Sequence, residues 1–208
     1  MGALGDWGAH IIDTCHRFLE LGLPEEINPI YLKDHNPFFY SMSSTIEFKF
    51  PKRGDMPPCV ITWYDGLDNI PAVPDGYGVS EIDPNIPLVN GGKIQPAKLN
   101  PGKEIYSKTL TFKGGSHGST LSIIPEADAK KMEGKLPEVP KATGKHYDNF
   151  LRACLGQAEV HSPFSVTGPL SQVFCLGVIA QWTGHKLIFD RETKQITNDP
   201  VANQLLWG

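Results

Sequence analysis

Apolar positions recur at helical spacing at the head of the chain. Ile11, Ile12, Cys15, Phe18 and Leu19 form one stripe of a helix running from about Asp6 to Leu21. Gly22 as C-cap and Pro24 as breaker end it. The period then changes from 3.6 to 2. Ser44 to Phe50 alternates strictly, with Ile46, Phe48 and Phe50 on one face and Thr45, Glu47 and Lys49 on the other. Cys59 to Tyr64 is a second strand, rich in β-branched and aromatic residues and bounded by Pro57-Pro58 and Asp65-Gly66. Ser107 to Lys113 and Ser119 to Ile124 read as a strand pair whose turn is Gly114 to Gly118. The last third is helical. Lys145 to Leu155 is a helix ended by Gly156. Thr167 caps the next, with Pro169 in its first turn, and it runs through Leu170, Val173, Phe174 and Ile179 to Trp182, then Gly184. Lys186 to Phe189 and Lys194 to Thr197 read as a short hairpin, and Asp199-Pro200 caps a final helix.

Strands come in runs and helices come in runs, without strict alternation. That predicts an α+β fold: an open, mostly antiparallel sheet with helices on one face. The other face keeps apolar positions and needs a partner, so a homo-oligomer through the open sheet face is expected. Residues 66–106 interrupt the pattern with six Pro and six Gly. So long an irregular segment reads as a lid, as an arm on a neighbouring subunit, or as an ordered surface excursion.

Composition narrows the classes. The chain has 208 residues, 40% of them hydrophobic, enough for one sizeable core. A net charge of -4 with no basic run argues against a nucleic-acid partner. No apolar run long enough for a membrane span stands out, and Met1-Gly2-Ala3 leads too quickly to Asp6 and His10 for a signal peptide. Cys15, Cys59, Cys154 and Cys175 have no C-x-x-C or zinc spacing, so no metal is expected. Cys15, Cys154 and Cys175 lie in apolar helical patterns that predict burial. Neither G-x-G-x-x-G nor a P-loop is present, and Gly114 to Gly118 leads into a strand, which makes it a turn. Ser116 beside His117 lacks an orienting third group, so it is not a nucleophile pair.

Candidate chemistry gathers on the first helix. Asp6, His10, Asp13, Arg17 and Glu20 are spaced 4, 3, 4 and 3 and share one stripe. Spacing alone describes a solvated helix face. Two features complicate it. Trp7, Gly8 and Ala9 interrupt the polar run, and a helical Gly costs about 1 kcal/mol relative to Ala, so Gly8 implies close approach of something to the backbone. Asp6 near the N-terminus is favoured by the helix dipole. His10 can take or give a proton near neutral pH, and a carboxylate one turn away can orient it. Trp7, Trp63 and Tyr64 are candidate aromatic platforms for a sugar, although aromatics in strands are more commonly core.

The stretch G-A-L-G-D-W-G-A-H-I-I-D resembles the start of the C-terminal domain in the glucose–fructose oxidoreductase / inositol dehydrogenase / MocA family, which carries D-x-x-x-H and then an Asp three residues later. Ile61 to Gly66 is similar to a strand ending in W-Y-D-G in a bacterial branch of that family, and Phe112 to Ser119 to its F-x-G-x-x-G hairpin. Leu176 to Gln181, Phe189-Asp190 and Asn198 to Asn203 resemble its closing segments. The resemblance implies that residues 1–208 are a single C-terminal substrate and oligomerisation domain, without the N-terminal Rossmann domain. It implies the catalytic half of an NAD(P)-dependent oxidoreductase acting on a sugar, polyol or related hydroxy compound. His10 would be the general acid/base, assisted by Asp6, and Asp13 would contact substrate. NAD or NADP would be bound mainly by the missing domain, whose E-K-P lysine would complete the site, so the isolated chain is expected to be inactive. A non-catalytic binding or oligomerisation module and an NAD-dependent glycosidase are the competing readings.

Overall fold

A computed structural model describes residues 2–66, 68–72, 74, 77, 102–115, 120–138 and 145–207. The fold is α+β. Helix α1 spans Gly2–Phe18, and strands β1 Glu26–Lys33, β2 Ser43–Phe50 and β3 Cys59–Asp65 follow. After the excursion come β4 Gly102–Tyr106, β5 Thr111–Gly115 and β6 Ser122–Ile124, then α2 Glu126–Met132, α3 His146–Cys154 and α4 Phe164–Thr183. β7 Leu187–Asp190, β8 Gln195–Ile196 and α5 Pro200–Gln204 close the chain. The larger sheet has the order β3-β2-β1-β7-β8, and the smaller has β4-β5-β6. Every pairing among the described strands is antiparallel.

β1 is a central strand that the alternation does not reveal, because Asn28 and Pro29 interrupt it. Pro29 has no N–H for the ladder, and the pairing with β2 shifts register between Pro29 and Tyr31. Ile27, Ile46, Phe48, Phe50, Leu187 and Phe189 line the face that α1 and α4 cover, and all six are buried. α4 threads this core with Leu170, Val173, Leu176 and Ala180 buried. It has 20 residues and mean hydropathy 1.3, long and apolar enough to cross a membrane, which corrects the reading that no such stretch exists. Its contacts with α1, β1 and β2 account for that composition. Gly177 brings the layers together: a Cβ there would stand 2.5 Å from Leu4 Cδ2 and 2.6 Å from Phe48 Cζ.

Several boundaries differ from the sequence reading. α4 begins at Phe164 after Pro163, so Thr167 is not its cap and Pro169 is interior. Thr167 Oγ1 instead donates back to the Pro163 carbonyl at 3.4 Å. α1 ends in a Schellman arrangement: Leu21 N–H donates to the His16 carbonyl at 3.0 Å and Glu20 N–H to the Arg17 carbonyl at 3.2 Å. The left-handed residue there is Glu20, with φ 48°, and Gly22 is the second left-handed residue beyond it. Arg53 Nε donates to the Leu19 carbonyl at 3.0 Å and so covers the same helix end. Gly102–Tyr106 is a paired strand, so the excursion is not irregular to its end; residues 78–101 lie outside the described residues. The turn residues Ser116, His117, Gly118 and Ser119 also lie outside them. Cys154 and Cys175 are exposed, against the expectation of burial. Cys154 stands on α3, which buries none of its residues, and Cys175 lies on the outward side of α4. The final helix is capped as expected: Asp199 Oδ1 accepts from Val201 N at 2.8 Å and Ala202 N at 3.0 Å.

Candidate functional site

α1 docks through Leu4, Gly8 and Ile12, all buried, and this turns the opposite stripe outward. A Cβ on Gly8 would lie 3.1 Å from Phe174 Cβ. The close approach implied by Gly8 is therefore that of α4, a packing role. On the outward stripe Asp6, His10 and Arg17 are exposed and Asp13 is half-buried. Trp7 leans on the core, and its indole meets the His10 ring edge-on, with centroids 5.8 Å apart and an interplanar angle of 65°. The helix presents the imidazole, and Trp7 lies against it.

β4 adds a group that the sequence reading missed. Lys103 is only 6% exposed, and its Nζ donates to Thr14 Oγ1 at 3.1 Å. Thr14 lies one helical turn beyond His10 and next to Asp13. Burial pulls the Lys103 pKa below the usual lysine range, while Cys15 and the Asp13 carboxylate oppose that fall. The Cys15 thiol is pushed up to about 11, chiefly by burial and against the pull of Lys103, so it stays protonated at neutral pH. Gly-Lys-Glu at the end of a Pro- and Gly-rich stretch carries no motif. Only the pairing of β4 with β5 and its contact with α1 bring this cation to the stripe.

The two strand aromatics are separated by the sheet. Trp63 pairs with Ile46, is 6% exposed and belongs to the core under the helices. Its Nε1 donates to Asp65 Oδ2 at 2.8 Å. Asp65 also accepts from Ser44 N at 2.7 Å and Ser44 Oγ at 2.8 Å, and Gln181 Nε2 donates to Ser44 Oγ at 2.6 Å. The W-Y-D-G strand end is thus a polar clamp between β2, β3 and α4. Gly66 completes it with φ 99°, where a Cβ would fall 2.0 Å from Ser43 Oγ. Tyr64 pairs with Thr45 on the opposite face and is exposed, away from His10. The structure brings Trp7, His10, Asp13, Thr14 and Lys103 together, and it leaves Trp63 in the core and Tyr64 beyond the sheet.

The described strands pair antiparallel throughout, so among the described residues there is no Rossmann-type dinucleotide site, which is built on parallel strands with a glycine-rich turn into a helix. Among the described residues no group of three or more His, Cys, Asp or Glu side chains is arranged to hold a metal ion. No protein-family model matches the chain, and no curated protein matches it.

Proposed function

We propose that this chain is the substrate-binding and acid/base half of an NAD(P)-dependent oxidoreductase acting on a sugar, polyol or related hydroxy compound. The observation that carries this reading is the D-W-G-A-H-I-I-D helix, with His10 exposed beside Trp7 and flanked by Asp13 and the buried Lys103. His10 accepts the proton of a substrate hydroxyl or returns it to a carbonyl. Trp7 supports the ring edge-on, and Asp13 accepts a hydrogen bond from a second hydroxyl. The dinucleotide belongs to a separate domain, so the 208-residue chain alone is expected to bind it weakly and to show no turnover. In the complete gene product, His10→Ala is expected to lower turnover of polyols or sugars about a hundredfold or more. The thermal midpoint should stay within about 2 °C, since the side chain is exposed. An unchanged rate overturns the reading.

One observation favours a second role beside the first. The sheet face away from the helices exposes Tyr31, Val60, Tyr64 and Ile188. Such a face suits self-association into a homo-oligomer.

A further inference from the structure

We propose that α3 is a self-association helix, which pairs antiparallel with α3 of a second copy of this chain. The inference does not depend on the oxidoreductase reading. Tyr147, Phe150, Leu151, Cys154 and Leu155 recur at helical spacing and form one apolar stripe. Such a stripe ordinarily faces a core, yet α3 buries none of its residues. Tyr147 is 77% exposed, Phe150 56%, Leu151 59% and Leu155 70%. The chain that follows returns behind the helix and leaves the stripe outward. Gln157 N–H donates to the Arg152 carbonyl at 2.8 Å. Asn149, on the side opposite the stripe, donates from Nδ2 to the Glu159 carbonyl at 2.8 Å and accepts from His161 N at 3.0 Å. The helix is thus held by its own loop while its apolar side meets water.

Charge along one edge says what covers that side. Asp148 and Arg152 stand one turn apart on the same edge of the stripe, and both are exposed. α2 closes a pair of that spacing internally, with Lys130 Nζ 2.8 Å from Glu126 Oε1; among the described residues no ion pair joins Asp148 to Arg152. When two identical helices pair antiparallel, each edge meets its own copy. A two-fold axis at Phe150 then sets Asp148 against Arg152 of the partner subunit, and Arg152 against Asp148 of the partner subunit. The same register brings Tyr147 of the partner subunit level with Ala153, beside a groove of about 730 Å³ that Phe150, Cys154 and Val160 help to line. A parallel pair would set the charged edge against the other one, which carries His146 and Ala153, and would form neither ion pair. The stripe offers roughly 500 Å² per copy, below the ~800 Å² per partner of a standard stable interface. Burial of the stripe therefore supplies the attraction of a weak contact, and the paired charges set its direction.

Sedimentation of the complete gene product tests the pairing. Asp148→Arg places like charges opposite each other twice, and so does Arg152→Asp. Each variant alone is expected to weaken self-association about tenfold or more. Mixing the two variants in equal amounts restores both opposite-charge pairs and should return association to within about threefold of the parent. Only pairing between copies gives that rescue; docking of another protein or of a membrane on the stripe does not. In variants that keep α3 by circular dichroism, dissociation without rescue overturns the proposal, and so does unchanged association. A parent that stays monomeric at about 0.5 mM also overturns it. Both reversals oppose the helix dipole. If either unfolds α3, Asp148→Asn with Arg152→Gln removes both charges without opposing it. Association of the parent should weaken about threefold or more between about 0.05 and 0.5 M salt, and that of the neutral variant should not. Equal salt dependence in the two overturns the proposal.

Discussion

His16 lies on the buried side of α1, and its Nε2–H donates to the Gly22 carbonyl at 2.8 Å. Burial lowers its pKa below the ordinary histidine value, with the Gly22 hydrogen bond and Asp13 opposing. The unfolded chain therefore binds a proton more readily at this residue than the folded one does. Its contribution to stability is full above about pH 6.5 and falls away as the pH drops toward its lowered folded value. Urea unfolding at about pH 7.5 and pH 5.5 should show a loss of stability at the lower pH that is smaller in His16→Gln, which keeps a donor and cannot titrate. Equal losses in both proteins would remove His16 as the cause. The neighbouring stripe shows what is legible at this scale. The positions of Asp6, His10 and Asp13 follow from helical period alone. The fate of His16 does not, because burial depends on α4 and the sheet. Lys103 is illegible for the same reason: no local pattern says that a lysine 89 residues distant will reach Thr14.

At the scale of elements, α1 and α4 are set together by two glycines. Gly8 admits Phe174, and Gly177 admits Leu4 and Phe48. A methyl group at Gly177 would meet two fully buried side chains, Leu4 and Phe48, neither of which has room to turn. Ala improves helix propensity by about 1 kcal/mol, but overpacking costs about 1–3 kcal/mol and a contact as short as 2.5 Å calls for the upper end. Gly177→Ala should therefore lower stability by about 1–2 kcal/mol in denaturant unfolding. A stabilised variant would mean that the layers can separate freely. The elements that the sequence predicts well are those whose signal is local: β2 by alternation, β3 by branched and aromatic content, α5 by the Asp199 cap. The elements it misses carry contrary signals. β1 holds Asn28 and Pro29, and β4 sits among prolines and glycines. α4 is found, and only its start is misplaced, because Pro169 is a first-turn signature at an interior position. In each case tertiary pairing outweighs the local preference.

At the scale of the whole molecule, α1 and α4 cover one face of the larger sheet, and among the described residues no helix covers the other. Its rungs can be read from the register. Ile188, Glu26, Lys49 and Val60 form one, with Lys49 Nζ 2.7 Å from Glu26 Oε1. Tyr31, Thr45 and Tyr64 form another, and Asn69 reaches over its end, where Asn69 Nδ2 donates to Thr45 Oγ1 at 2.9 Å. Covering is thus incomplete. Val60 stays 53% exposed and Tyr64 42% exposed, on opposite ends of the edge strand β3. An antiparallel sheet tolerates a solvated face when that face is polar; a mixed face with unpaired aromatic and branched residues gains by association. If the face joins two copies, Val60→Lys with Tyr64→Glu places charges in the interface and should shift sedimentation from a dimer or larger species toward the monomer at the same concentration. The helix side of the sheet is untouched by these changes, so the circular dichroism and the environment of Trp63 should be preserved. Unchanged sedimentation of an oligomeric parent would move the interface elsewhere. A monomeric parent would leave this face to a different partner and remove self-association from the proposed roles.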